Sequence, residues 1–263
     1  MKTSSRILVF ANLLGFLAVL AINYLSNSLP LNGKTPGQLS DQYPNLFTPA
    51  GLTFSIWGVI YLWLLAWVGS QVFALFNRSV AARMEPSVVK SGWLFFLSCL
   101  LNIGWLFAWH WEQLELSVVV MLGLFITLLR LNRVTGVGFF KSSQSEKRLS
   151  HLPFGIYQGW ISVALIANVT AVLVSRGWHG GILGEMTWAI LMVLAGAFIA
   201  VWVLFRQNNI GHGLAVAWAL LGIFLKRNGS LEAGSQAVAF VALASMAAVL
   251  VVAALRWRKW TAY

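Results

Sequence analysis

The chain has 263 residues, 59% of them hydrophobic and 10% charged, with a mean hydropathy of +0.78. Soluble domains are about 25% charged, so these figures exclude a water-soluble globular protein and point to lipid as the solvent. The net charge of +11 raises nucleic acid as a partner, but the placement of the charges accounts for it without one.

Lys2 and Arg6 precede an apolar run from Ile7 to Leu25. A secretory signal peptide has this layout, but the run is long for one and no small-x-small cleavage site follows, so it reads as a retained first span. Ser26 to Ala50 holds Pro30, Pro36, Pro44 and Pro49 among Asn, Gly, Ser and Asp. This predicts a long loop, either a plain connector or a cover over something beneath. The second span, Leu52 to Phe76, is followed by a basic loop with Arg78, Arg83 and Lys90. The third covers Ser91 to Trp109, and the turn His110 to Glu115 is short enough to make it an antiparallel neighbour of the fourth, Leu116 to Leu131. A polar, basic loop from Asn132 to His151, with Lys141, Lys147 and Arg148, leads to the fifth span. That span opens at Pro153, a residue suited to a first helical turn, and ends near Val174. A Gly-rich turn, Gly177 to Gly184, precedes the sixth span, Met186 to Phe205. The seventh, Gly211 to Leu225, is short and rich in small residues, and the eighth, Ser235 to Leu255, ends in Arg256, Arg258 and Lys259.

Eight stretches of roughly 20 apolar residues match what a hydrocarbon core requires. The predicted fold class is an all-α, polytopic membrane helical bundle. With the N-terminus in the cytoplasm, 14 of the 18 Lys and Arg fall on the cytoplasmic side and only Lys34, Arg176, Lys226 and Arg227 on the outer side. This bias places both termini inside and makes nucleic acid unnecessary. The single Cys99 has no partner for an intramolecular disulfide and reads as a small core residue.

Helical geometry of 100° per residue sorts the polar and aromatic residues into stripes. The second span places Phe54, Trp57, Gly58 and Tyr61 on one face, with Trp63 and Trp67 turned away toward lipid or a neighbouring helix. The third places Ser98, Asn102, Trp105 and Trp109 together, and the fifth Tyr157, Trp160, Ala164 and Asn168. Three such stripes form either a shared cavity for a flat, mostly apolar ligand, or a packing interface with amides as interhelical glue. No catalytic constellation is visible. His110, His151, His179 and His212 fall near span ends and read as interfacial polar residues, against a haem held by an axial His at the bilayer centre. The span centres carry no Asp, Glu, Lys or Arg, against an intramembrane carboxylate relay.

FTPAGLTFSIWGVIYLWL, LLNIGWLFAWHWEQLELSVVVML and IYQGWISVALIANV, in that order, resemble the second, third-to-fourth and fifth helices of the TspO/MBR family, the tryptophan-rich sensory proteins that include the translocator protein. The resemblance covers Ile7 to Val174. It departs from the family where a usual double Pro is the single Pro49, where Ile156 replaces a Pro before Tyr157, and where a longer Pro/Gly loop replaces a Trp-rich one. No Lys or Arg follows Tyr157 before Arg176, so the proposed cholesterol pattern is unsupported. The resemblance implies a five-helix core over residues 1–175, with a three-helix transmembrane extension over 176–263; the few mid-span polar groups of that extension, with Gly196, Gly211, Gly213 and Gly222 allowing close packing, predict that it braces the bundle without lining the pocket. The resemblance also implies a porphyrin-like tetrapyrrole or haem-like ligand, with no required cofactor, metal or catalytic residue. Carried over by motif, Trp57, Asn102, Trp105, Trp160 and Asn168 would line the pocket; the stripes add Phe54, Tyr61 and Tyr157. The implied function is ligand binding or sensing in a cell inner membrane. The alternatives are transport of such a molecule, or its light-dependent breakdown with Trp57 and Trp160 relaying oxidation. The expected partners are the lipid bilayer, the tetrapyrrole and a second copy of the chain as a homodimer.

Overall fold

The computed structural model describes residues 1–29, 31–138 and 142–261. Pro30 and Lys141, both expected in loops, lie outside them, as does the side chain of Lys259. The described elements are helical throughout. α1 (Thr3–Ser28) buries Ser5, Val9, Asn12, Phe16, Val19, Asn23 and Ser26, a stripe with alternating spacings of four and three. That is the period of one packed helical face. Its other face exposes Ile7, Phe10, Leu14, Leu17 and Tyr24, large apolar side chains that only lipid accommodates.

The long first loop is largely ordered. A turn at Leu31–Gly33 leads into α2 (Pro36–Asp41), whose start combines Pro36 in the first turn with a reciprocal cap between Thr35 and Gln38. Leu39, Leu46 and Phe47 are buried beneath it. A tight turn at Gly51–Ser55 then runs into α3 (Ile56–Ala74).

The expected basic loop after the second span is instead a helix, α4 (Arg78–Ser91), capped by Asn77. It buries Ala81, Met84 and Val88 and exposes Arg78, Arg83 and Lys90. The charges that mark a loop by composition are the outer face of an amphipathic helix. Gly92, at φ 50°, ends it, and α5 (Leu94–His110) follows at a bend of 58°. At 17 residues α5 is short for a span. Among the described residues, seven other helices are long and apolar enough to cross a membrane, and the α4–α5 pair, taken as one bent unit, makes an eighth.

α6 (Leu114–Thr135) runs four residues beyond the expected end, to a left-handed Gly136 at φ 80°. The loop expected from Asn132 to His151 is therefore shorter. α7 (Gln144–Glu146), capped by Ser143, and one wide helical turn over Lys147–His151 feed directly into α8 (Leu152–Ser175). α9 (Gly184–Gln207) ends at Asn208 in the left-handed region, and Asn209 caps α10 (Ile210–Arg227) by accepting from the His212 N–H at 3.1 Å. α11 (Ser235–Thr261) is the last of the described elements.

α10, the short seventh span, is the most enclosed of the apolar helices, with 67% of its apolar window buried. It packs against α8, α9 and α11. Glycines allow the α8 contact: a Cβ added at Gly159 would lie 2.6 Å from the His212 carbonyl oxygen, and one at Gly211 2.6 Å from that of Leu152. Such small-residue contacts let membrane helices approach closely where no hydrophobic effect draws them together. Further up, Ala50 N–H donates to Gly222 O at 3.0 Å and the Trp218 indole donates to Thr53 O at 2.9 Å. The C-terminal helices thus brace α8 and hold the entry to α3.

Candidate functional site

Trp57 is the hub of the aromatic stripes. Its ring stacks on Tyr61 at 5.5 Å and Trp105 at 6.3 Å, and meets Tyr157 and Trp160 edge-on at 5.8 and 6.2 Å. Phe54 meets Trp160 edge-on at 5.8 Å, and Trp105 stacks on Trp109 at 6.1 Å. The three stripes from α3, α5 and α8 therefore converge, in the offset and edge-to-face arrangements that aromatic quadrupoles favour.

A cavity lies where they meet. Of the eight residues singled out in the sequence, Phe54, Trp57, Trp105, Trp160 and Asn168 line it. Tyr61, Asn102 and Tyr157 do not; they stand behind the rings. Further lining comes from Trp109, Met121, Val163, Ala164 and Ala167, and from Ser40 and Pro49 of the first loop. Trp109 and Ala164 already share the faces read from the sequence. Met121 and Ser40 give no sequence signal, because apolar helix residues and loop serines are everywhere.

The amides are engaged with other helices. Asn102 accepts from Asn23 of α1 at 3.1 Å and donates to the Tyr157 hydroxyl at 3.2 Å. Asn168 accepts from the Trp105 indole at 2.9 Å and donates to Ser117 of α6 at 2.8 Å. Asn12 donates to Gln71 at 3.0 Å in the same manner. In lipid such bonds tie helices together. The indole nitrogen of Trp160, a lining residue, is buried and has no hydrogen-bond partner among the described residues.

The cavity is small, about 40 Å³. Its roof is the first loop, which is stitched to the bundle at both ends. Lys34 pairs with Glu112 at 2.9 Å, the Tyr43 hydroxyl donates to Glu112 at 3.1 Å, and Trp109 donates to Pro36 O at 3.3 Å. On the other side Lys226 pairs with Asp41 at 2.6 Å, and Arg227 donates to Asn45 O. The Lys34 ammonium and the Tyr43 hydroxyl hold the Glu112 carboxyl below the usual carboxylate range. Burial, with the Glu112 carboxylate beside it, pushes the Tyr43 hydroxyl up to about 12.

His110, His151 and His212 lie at or beside helix ends, as expected, but are buried there, at 0%, 3% and 1% exposure, and only His179 is exposed, beside Glu185. Of the two surroundings expected for Trp67, lipid or a neighbouring helix, the structure gives the second: it is fully buried between Phe95 at 4.7 Å and Phe154 at 4.9 Å.

A polytopic helical membrane protein with an aromatic cavity under an ordered loop is the class that fold and site define, and the class is that of membrane ligand-binding proteins. The chain belongs to the TSPO-like protein family: that family's profile matches residues 8–255, and so runs through the three C-terminal helices as well as the core. No curated protein and no solved structure matches the chain.

Proposed function

We propose that the protein is a ligand-binding or sensory membrane protein whose aromatic cavity takes a flat amphipathic molecule such as a porphyrin. The observation that carries this reading is the convergence of Phe54, Trp57, Trp105, Trp109 and Trp160 on one cavity, with the buried Trp160 indole N–H unpartnered among the described residues. Burying a donor without a partner costs about 1–3 kcal/mol, and an acceptor on the edge of a stacked ligand removes that cost. A cavity of about 40 Å³ holds about one water, whereas ligand sites run to roughly 300–1,000 Å³. Entry therefore requires the loop bearing Ser40 and Pro49 to lift and the half-buried Trp57 to swing aside.

Sidedness follows from the charges. Lys34, Arg176, Lys226 and Arg227 are each paired with a carboxylate at the end of the bundle that carries the loop. The opposite end, with its excess of Lys and Arg, faces the cytoplasm by the positive-inside rule, in a cell inner membrane, with both termini there. C-terminal reporter fusions test this, and a periplasmic C-terminus contradicts it.

A protoporphyrin titration read by Soret absorbance tests the pocket. Trp57→Phe and Trp160→Phe should each weaken binding several-fold while the protein still folds. Trp63→Phe should leave it unchanged, since that ring donates instead to Arg148 O on the outside of α3. Equal affinity in all variants and the parent removes the pocket assignment and leaves the rings as packing.

A further inference from the structure

The two ends of the bundle treat their cations differently. At the loop end, each of the four Lys and Arg is in an ion pair. At the other end Arg130, Arg133 and Arg206 are exposed, and none is in an ion pair with a described carboxylate. Arg206 lies over the Trp202 ring at 5.5 Å. The helix ends beside these arginines, those of α6 and α9, each carry a partial charge of roughly −0.5, less than three guanidinium groups require.

Arg133 and Arg206 line one recess of about 630 Å³ between the ends of α6 and α9. Its floor is polar and built: Asn132 and Gln158 are 3% and 1% exposed and bonded to each other. Asn132 also donates to Phe154 O at 3.3 Å, while its side-chain oxygen is buried with no partner among the described residues. An adjoining recess of about 500 Å³ shares Leu129 and Arg133 and adds Arg130. From there Leu129, Ile126 and Leu122, all exposed, run back along α6 at spacings of three and four, as one apolar stripe facing the bilayer.

We propose that this recess binds the headgroup of an anionic phospholipid that carries hydroxyl groups. Arg133 and Arg206 take the phosphate, whose oxygens match the planar guanidinium fork. The free Asn132 oxygen accepts a headgroup hydroxyl, and the α6 stripe receives an acyl chain. Basic pockets between transmembrane helices on the cytoplasmic side recognise anionic headgroups by this chemistry. The apolar stripe leading out of the recess favours a lipid over a free anion.

The test uses the full chain reconstituted with phosphatidylcholine and a minor fraction of phosphatidylglycerol, then extracted into detergent, with retained lipid read by mass spectrometry. The parent should retain phosphatidylglycerol several-fold above its share of the mixture. Arg133→Gln with Arg206→Gln should bring retention down to that share. Arg78→Gln with Arg83→Gln removes equal charge from exposed positions on α4 and should leave the enrichment intact. The proposal is overturned by no enrichment in the parent, a comparison that needs no variant. Equal loss in both double variants, which marks general surface attraction, overturns it too. Displacement of the lipid by inorganic phosphate alone does the same, since it marks a site for free anions.

Discussion

The indole N–H of Trp105 reaches the carboxamide oxygen of Asn168 at 2.9 Å across α5 and α8, and Asn168 passes the connection on to Ser117 of α6. Three helices of the cavity wall are thus joined through one side chain. Asn168→Leu keeps the volume near and removes both bonds. It should lower stability by about 1 kcal/mol, two interhelical bonds at roughly 0.6 each in membranes, seen as a lower unfolding temperature in detergent. An unchanged unfolding temperature returns Asn168 to the ligand.

The α8–α10 contact should be intolerant of any side chain. Gly211→Val places a Cβ where 2.6 Å separates it from Leu152 O, and overpacking of this kind costs about 1–3 kcal/mol. Gly58→Val on α3, where nothing lies within 4 Å of the added Cβ, is the control. Thermal unfolding should separate the two variants; similar values contradict the close-approach account.

Truncation after Ser175 removes every C-terminal anchor of the loop: Gly222, Trp218, Lys226 and Arg227. The shortened chain should unfold at lower temperature than any single variant above, and its loop should become open to limited proteolysis. The cavity lining lies wholly within residues 40–168, so ligand preference should change less than stability. A truncated protein that folds normally yet binds nothing reverses that order.

The loop's other stitch depends on pH. The depressed folded value of Glu112 means that its contribution is present above the unfolded carboxylate value of about 4.3 and fades as pH falls through the lower folded value. Tyr43, raised to about 12, contributes fully below its unfolded value of about 10 and loses that contribution as pH rises toward the folded one. Lys34 and Glu112 are 35% and 41% exposed, so screening limits the pair to at most about 1 kcal/mol. Protection against hydrogen exchange over residues 34–43, taken relative to the intrinsic rate at each pH, should therefore fall at both pH extremes, and Glu112→Gln should abolish the acid limb.

Much of this fold is written in hydropathy, because lipid demands long apolar runs and the chain supplies them. α4 escaped because Arg78, Arg83 and Lys90 dominate its composition, while its buried face, Ala81, Met84, Ser87, Val88 and Ser91, is small and partly polar. Faces follow from a 100° turn per residue, so the three aromatic stripes were legible. Partners do not follow from it. Asn102 is engaged by Asn23, 79 residues away, and no spacing within one helix reveals that partner. Trp160's uncommitted nitrogen is invisible for the same reason, and so is the fastening of the first loop by Arg227, 182 residues distant from Asn45.

The size of the cavity has a kinetic consequence for the proposed pocket. A space of about 40 Å³ is too small for a flat ligand until the roof lifts, and on that reading the clock of capture is set by the protein and not by diffusion. Raising the concentration of any ligand larger than water should speed association only up to a ceiling, the opening rate itself, and that ceiling should be the same for chemically different ligands. Loosening the roof lifts the ceiling and shortens the stay together.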